Sequence, residues 1–102
     1  MAVKAEIVDG VRGATFQFGT ETSDNPASIA AGAEGTAVIT VTGADTGDLV
    51  FVTARALLAG LVVCEATVTA ANTVSIKLLN TTGGALDDAA SSFDYMLVKV
   101  AA

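Results

Sequence analysis

The stretches Ala37-Val-Ile-Thr-Val-Thr42 and Val74-Ser-Ile-Lys-Leu-Leu79 decide the fold class. In the second stretch Val74, Ile76 and Leu78 alternate with Ser75 and Lys77. Successive side chains of a β-strand point to opposite faces, so this alternation predicts strands with one face in the core and one in water. A sheet with one wet face is typical of antiparallel all-β proteins.

Working outward, three further extended segments are apolar on both faces. They are Leu49-Val-Phe-Val-Thr53, Leu61-Val-Val-Cys-Glu-Ala-Thr-Val68 and Phe93-Asp-Tyr-Met-Leu-Val-Lys-Val100. Small-residue turns such as Gly43-Ala-Asp-Thr-Gly47 and Asn80-Thr-Thr-Gly-Gly84 separate the strands. The whole pattern predicts a compact antiparallel β-sandwich, jelly-roll or immunoglobulin-like, of about seven or eight strands.

The composition limits the classes of function. The chain has 102 residues, of which 52% are hydrophobic and 16% charged, with a net charge of -6. Because phosphate backbones and anionic lipid surfaces repel an acidic protein, we expect neither nucleic acid nor a membrane as a partner. The excess apolar surface predicts self-association or docking on a larger assembly.

The chain lacks the side chains of the common catalytic sites. It has no histidine and one cysteine, Cys64, so neither a Ser-His-Asp triad nor a zinc site with several Cys or His ligands can be built. We therefore predict a protein that is not an enzyme and binds no metal or cofactor. Apolar neighbours of Cys64 predict a buried, reduced thiol, and the early sequence Met1-Ala-Val-Lys-Ala-Glu-Ile7 does not resemble a secretory signal, so folding in a cytoplasm is expected.

The chain divides near Pro26. Residues 1–25 contain two extended pieces and a polar connector, and residues 26–102 carry the sandwich pattern. The first part is either a hairpin on the sandwich or an arm that adds a strand to a neighbouring chain. Its candidate contact residues are Val3, Ala5, Ile7, Phe16 and Phe18.

The doubly apolar strands supply the remaining candidates for a subunit interface. In so small a domain a strand that is apolar on both faces needs a cover from outside the chain. The candidate side chains are Phe51, Phe93, Tyr95 and Leu97.

Residues 26–100 resemble a small β-sandwich module of tailed-bacteriophage virion proteins. The resemblance rests on the small-residue opening Pro26-Ala-Ser-Ile-Ala-Ala-Gly32, a Thr/Val strand, the Gly43-Ala-Asp45 turn, a Val-rich strand and the late Asn80-Thr-Thr-Gly83 turn. It implies a head-decoration (cement) protein on the virion head surface, forming a homotrimer and binding the major capsid protein. The alternative is a tail- or fibre-associated module that recognises a host-surface glycan or receptor.

Overall fold

The fold is all-β. A computed structural model describes residues 3–9, 12–24, 28–87 and 90–100, and none of these residues is helical. Accordingly, the described residues offer no helix of the length and hydropathy that a membrane crossing requires. The described strands are β1 (Val3–Asp9), β2 (Arg12–Thr22), β3 (Glu34–Thr40), β4 (Leu49–Ala54), β5 (Leu61–Ala70), β6 (Thr73–Asn80) and β7 (Ser92–Val100).

The strands form two antiparallel sheets, which confirms the all-β, antiparallel part of the fold prediction. One sheet has four strands in the order β1-β2-β7-β4, and the other has three strands in the order β3-β6-β5. The strand order of an immunoglobulin constant domain, numbered along its chain, is 1-2-5-4 in one sheet and 3-6-7 in the other. In this protein β7 takes the place of the fifth strand in the first sheet, and β5 takes the place of the seventh strand in the second.

The core lies between the two sheets, in a β-sandwich-like arrangement. From the three-stranded sheet it takes the inward residues of β3 and β6, such as Ile39, Val74 and Ile76, which are at most 1% exposed. From the four-stranded sheet it takes Phe93 and Leu97, both fully buried. The alternation in β3 and β6 therefore places their apolar side chains as the sequence predicts.

The N-terminal hairpin belongs to the four-stranded sheet. β2 pairs with β7 over nine residue pairs, from Ala14↔Val100 to Thr22↔Ser92. Its Gln17 is 4% exposed, and its side-chain amide donates to the Thr42 carbonyl (3.1 Å) and the Tyr95 hydroxyl (3.2 Å). Of the two alternatives for this segment, the structure has the hairpin paired within its own sheet. The predicted boundary at Pro26 lies outside the described residues.

After β2 the chain crosses from one sheet to the other. The Ser23 amide donates to the Ser91 carbonyl at 2.7 Å, on the side of the four-stranded sheet. Asp24 and Val38 then exchange two backbone hydrogen bonds of 2.8 and 3.0 Å, on the side of the three-stranded sheet. The crossing therefore joins the two sheets by backbone bonds.

Candidate interaction surface

The outward side of β7 is the centre of the candidate surface. Phe93, Tyr95 and Leu97 point into the core and are 0–5% exposed. Since side chains alternate along a strand, Met96 and Val98 point to the opposite side, away from the three-stranded sheet. A strand with apolar residues on both sides thus gives the four-stranded sheet a second apolar face.

The strand register extends this face across the sheet. On the outer side, Met96 and Val98 of β7 each lie between an apolar residue of β2 and an apolar residue of β4. The two cross-strand rows are Phe18–Met96–Phe51 and Phe16–Val98–Leu49. We call these six residues the outer apolar face.

The outer apolar face combines exposed and covered side chains. Phe51 is 57% exposed, Leu49 55% and Phe18 40%, whereas Val98 in the middle of its row is 9% exposed. Large apolar side chains this open to water are ordinary when single, but here they lie in adjacent rows of one sheet. A contiguous apolar surface of this kind marks an interaction site in soluble proteins.

The backbone of β1 continues the rows at the edge of the sheet. Val3 pairs with Phe18, Ala5 with Phe16, and Ile7 with Ala14. The side chains of Val3, Ala5 and Ile7 lie outside the described part of the structure, so their predicted contact role stays a prediction.

A polar cluster borders the outer apolar face at the next level of the sheet. Asp94 Oδ1 accepts hydrogen bonds from Thr20 Oγ1 at 2.5 Å and from Arg55 Nε at 2.8 Å. The Thr20 hydrogen bond, and then the Arg55 guanidinium, hold the pKa of the Asp94 carboxyl below its ordinary value. This charged rim beside an apolar centre is how protein interfaces are commonly built.

A second ionic cluster lies at the other end of β7, on the inward side. Lys99 Nζ donates to Asp48 Oδ2 at 2.6 Å, to Asp45 Oδ2 at 2.9 Å and to the Gly43 carbonyl at 3.0 Å. The Asp48 and Asp45 bonds raise the pKa of Lys99. Because the amine is held as an ammonium, it acts as a clamp on the loop at 43–48 rather than as a nucleophile.

The structure corrects three of the candidate interface residues. The sequence pattern predicts Phe93, Tyr95 and Leu97 as contact residues of a subunit interface, but all three lie in the core. The reason is that both faces of β7 are apolar, and packing against the three-stranded sheet decides which of them is inward. Phe51 and Phe18 are exposed as a contact residue must be, and Phe16 is half-buried.

The prediction of a buried Cys64 is also wrong, because the side chain is exposed. The pairing of β5 with β6 shifts register between Val63 and Glu65, so Cys64 falls at the irregularity and has no partner in the ladder. Such a β-bulge breaks the strict alternation from which burial was predicted.

Sequence reasoning missed Leu49, Met96 and Val98 as members of the surface. The signal was present, since both strands that carry them are apolar on two faces, but the pairing of β4 with β7 was not readable from the sequence. Among the described residues no group of three or more acidic or cysteine side chains is placed to hold a metal ion, and the described surface has no pocket. Comparison with protein-family models, curated proteins and solved structures found no significant match.

Proposed function

We propose that this chain is a structural binding module that docks on a larger protein surface through its outer apolar face. The observation that carries the proposal is the pair of apolar rows across β2, β7 and β4. Covering such side chains removes apolar area from water, which contributes about 25 cal/mol per Å². The polar cluster around Asp94 would then lie at the rim of the contact.

We further propose that the larger surface is a phage head and that the chain is a capsid decoration (cement) protein. Support comes from the resemblance of residues 26–100 to virion β-sandwich modules and from the acidic composition, which disfavours nucleic acid. The partner would be the major capsid protein. Many modest contacts repeated over a symmetric shell provide avidity without one strong site.

For the fold, we propose a reduced jelly-roll sandwich. Along the chain the β2–β7 pair encloses the β3–β6 pair, and the β5–β6 hairpin lies inside the first of them. Nested pairs of this kind support a double-sheet jelly roll, which a long hairpin folded over onto itself would build. The β4–β7 pair interleaves with β3–β6 instead, so the nesting covers only part of the strands.

The experiment is a binding assay with purified heads of the phage that encodes the chain, prepared without it. Phe51→Asp puts a charge on the outer apolar face and should weaken co-sedimentation at least about tenfold, since burying an unpaired charge is unfavourable. The matched control is Val62→Asp, because Val62 is a 44%-exposed apolar residue on the other sheet. This control should bind like the unmodified chain.

Two results would contradict the proposal. If Phe51→Asp binds as well as Val62→Asp, the outer apolar face is not the contact. If a tagged copy appears in negative-stain images at the tail tip and not over the head, the chain is a tail-associated recognition module instead.

A further inference from the structure

The edges of the two sheets differ in how they are protected. An edge strand has a row of unpaired backbone N–H and C=O groups, which can pair with another chain. Proteins block such pairing with charges, bulges, prolines or a covering segment. The sheet orders make β1, β4, β3 and β5 the four edge strands.

Three of these edges carry protection. β5 has two register irregularities, at Val63/Glu65 and Val68/Ala70, which bend the strand. β3 is partly covered, because Asp24 pairs with Val38. β1 contains charged residues at positions 4, 6 and 9.

β4 carries no charge, bulge or proline. Its sequence from Leu49 to Ala54 has no charge, proline or glycine, and its register with β7 runs without a shift. No other described strand pairs with its second side. It is a regular, apolar edge with open backbone groups, although β5 of the other sheet lies near it.

The open backbone groups of β4 can be assigned. The Arg55 amide donates to the Ser92 carbonyl at 2.9 Å, so the position directly after β4 directs its N–H toward β7. In an antiparallel ladder the direction alternates along the strand. The groups of Val50, Val52 and Ala54 therefore point to the open edge, and their inward side chains, which pack against the core, are only half-buried.

We infer that β4 pairs with β4 of a second copy, antiparallel, about a two-fold axis at Val52. In this register Val52 faces its own copy, and Val50 faces Ala54. Each of the three residues donates and accepts once in each copy, which gives about six backbone hydrogen bonds. A two-fold axis at Phe51 would also place the inward side chains of both copies on the same side of the sheet. It would, however, lose the backbone hydrogen bonds that Ala54 makes to the other copy.

The antiparallel orientation makes the edge complementary to itself. Each copy offers the N–H and C=O groups of the same three residues, and an antiparallel ladder pairs these groups directly opposite each other. A two-fold contact of this kind is isologous and closes as a dimer.

The dimer would have one eight-stranded sheet, since each copy contributes four strands. The two-fold axis is perpendicular to the sheet, so both outer apolar faces lie on the same side. The pairing goes beyond the proposed function, because it needs no phage head and is measured in solution.

The first test is Val52→Pro, studied by light scattering over a concentration series. Proline removes the open N–H of Val52 and leaves the bonds to β7, since proline is tolerated on an edge strand when its N–H position faces outward. We expect the unmodified chain to be a dimer and the variant to associate at least about tenfold more weakly, with an unchanged far-ultraviolet spectrum. The matched control, Thr53→Pro, removes a bond to β7 and should destabilise the fold itself.

The second test is cross-linking in a Cys64→Ser background, which keeps the exposed native thiol out of the reaction. Val52→Cys places two cysteines with Cα atoms about 5.5 Å apart across the axis, within disulfide reach. Leu49→Cys is the control, because the two copies of Leu49 are offset by roughly 20 Å. Mild oxidation should link only the Val52→Cys chains.

Several results would overturn the inference. They are a monomer at every concentration, a dimer or trimer that persists in Val52→Pro, or equal cross-linking of the two cysteine variants. A trimer that persists in Val52→Pro and is lost in Phe51→Asp would move the self-contact to the outer apolar face.

Discussion

The outer faces of the two sheets differ although their inner faces are alike. On the three-stranded sheet the outward positions carry an ion pair, Lys77 Nζ to Glu65 Oε1 at 3.5 Å, and a Thr69–Ser75 hydroxyl hydrogen bond of 2.8 Å. On the four-stranded sheet the equivalent positions carry Phe18 and Phe51. The outer face of the three-stranded sheet therefore carries polar pairs suited to water, whereas the outer face of the four-stranded sheet carries apolar side chains suited to a partner.

The largest expected effect is a difference in stability between variants on the inner and outer sides of the four-stranded sheet. Phe93→Ala empties a fully buried site and should lower the free energy of unfolding by about 3–5 kcal/mol. Phe51→Ala, on the outer side, should change it by less than about 0.5 kcal/mol in dilute monomer. Urea unfolding of both variants measures the contrast, and similar losses would mean that the outer apolar face is part of the monomer's core.

Gly19 on β2 gives a second test of how tightly the inner side of the four-stranded sheet is packed. Gly19 lies opposite Tyr95 on the inner side, and a Cβ at Gly19 would lie 2.7 Å from the Tyr95 hydroxyl oxygen. Gly19→Ala should therefore destabilise the fold by about 1–3 kcal/mol through overpacking. The Cβ would also lie 2.8 and 2.9 Å from two ring carbons of Tyr95, so thermal unfolding of the double variant with Tyr95→Leu tests the cause. Removal of the whole ring should make Gly19→Ala cost less than it does beside tyrosine.

The ionic clusters at the two ends of β7 predict opposite pH limits. The raised pKa of Lys99 means that its ion pairs stabilise the fold below the ordinary lysine value of 10.5 and that this stabilisation is lost as the pH rises through the folded value. At such an exposed site the contribution should stay below about 1 kcal/mol. Lys99→Met should flatten the alkaline decline of the melting temperature.

Asp94 acts in the opposite direction. Its lowered pKa means that its bonds stabilise the fold above the ordinary value of 3.8 and are lost as the pH falls through the lowered folded value. Asp94→Asn should flatten the acid side of the same profile and leave the alkaline side unchanged. An equal change on both sides would contradict the separation of the two clusters.

The smallest effect concerns the outer side of β5. Cys64 is exposed at an irregular position, so Cys64→Ser should leave the unfolding free energy within about 0.5 kcal/mol of the original. A thiol reagent should label the folded chain at the rate of a model peptide. Slow labelling would restore the burial that the sequence pattern predicts.

The sequence predicts a strand's orientation only where its two sides differ. In β6, Ser75 and Lys77 leave no choice, and the inward residues are those expected. In β7, Leu97 and Val98 are equally suited to a core, so the assignment depends on which side meets the other sheet. That choice is tertiary, and it accounts for the three misplaced interface residues.

The sequence predicts that an apolar interaction surface exists, but it does not predict which strands lie side by side to form it. Doubly apolar strands indicate an interface, and the sequence predicts Phe51 and Phe18 as contact residues of it. Its rows depend on β7 lying between β2 and β4, which are far from β7 in the sequence. Local periodicity carries no information on that pairing, nor on the bulge beside Cys64.

The order in which the strands pair also has a consequence for synthesis. The β5–β6 hairpin closes through the two residues Ala71 and Asn72, the second in the left-handed region at φ 61°, so it can form early at small loop-closure cost. β2 and β4, in contrast, both bond to β7, which follows both of them in the sequence. The β2–β7–β4 part of the four-stranded sheet therefore cannot assemble until β7 has been synthesised, and until then β4 has no strand bonded to either of its sides.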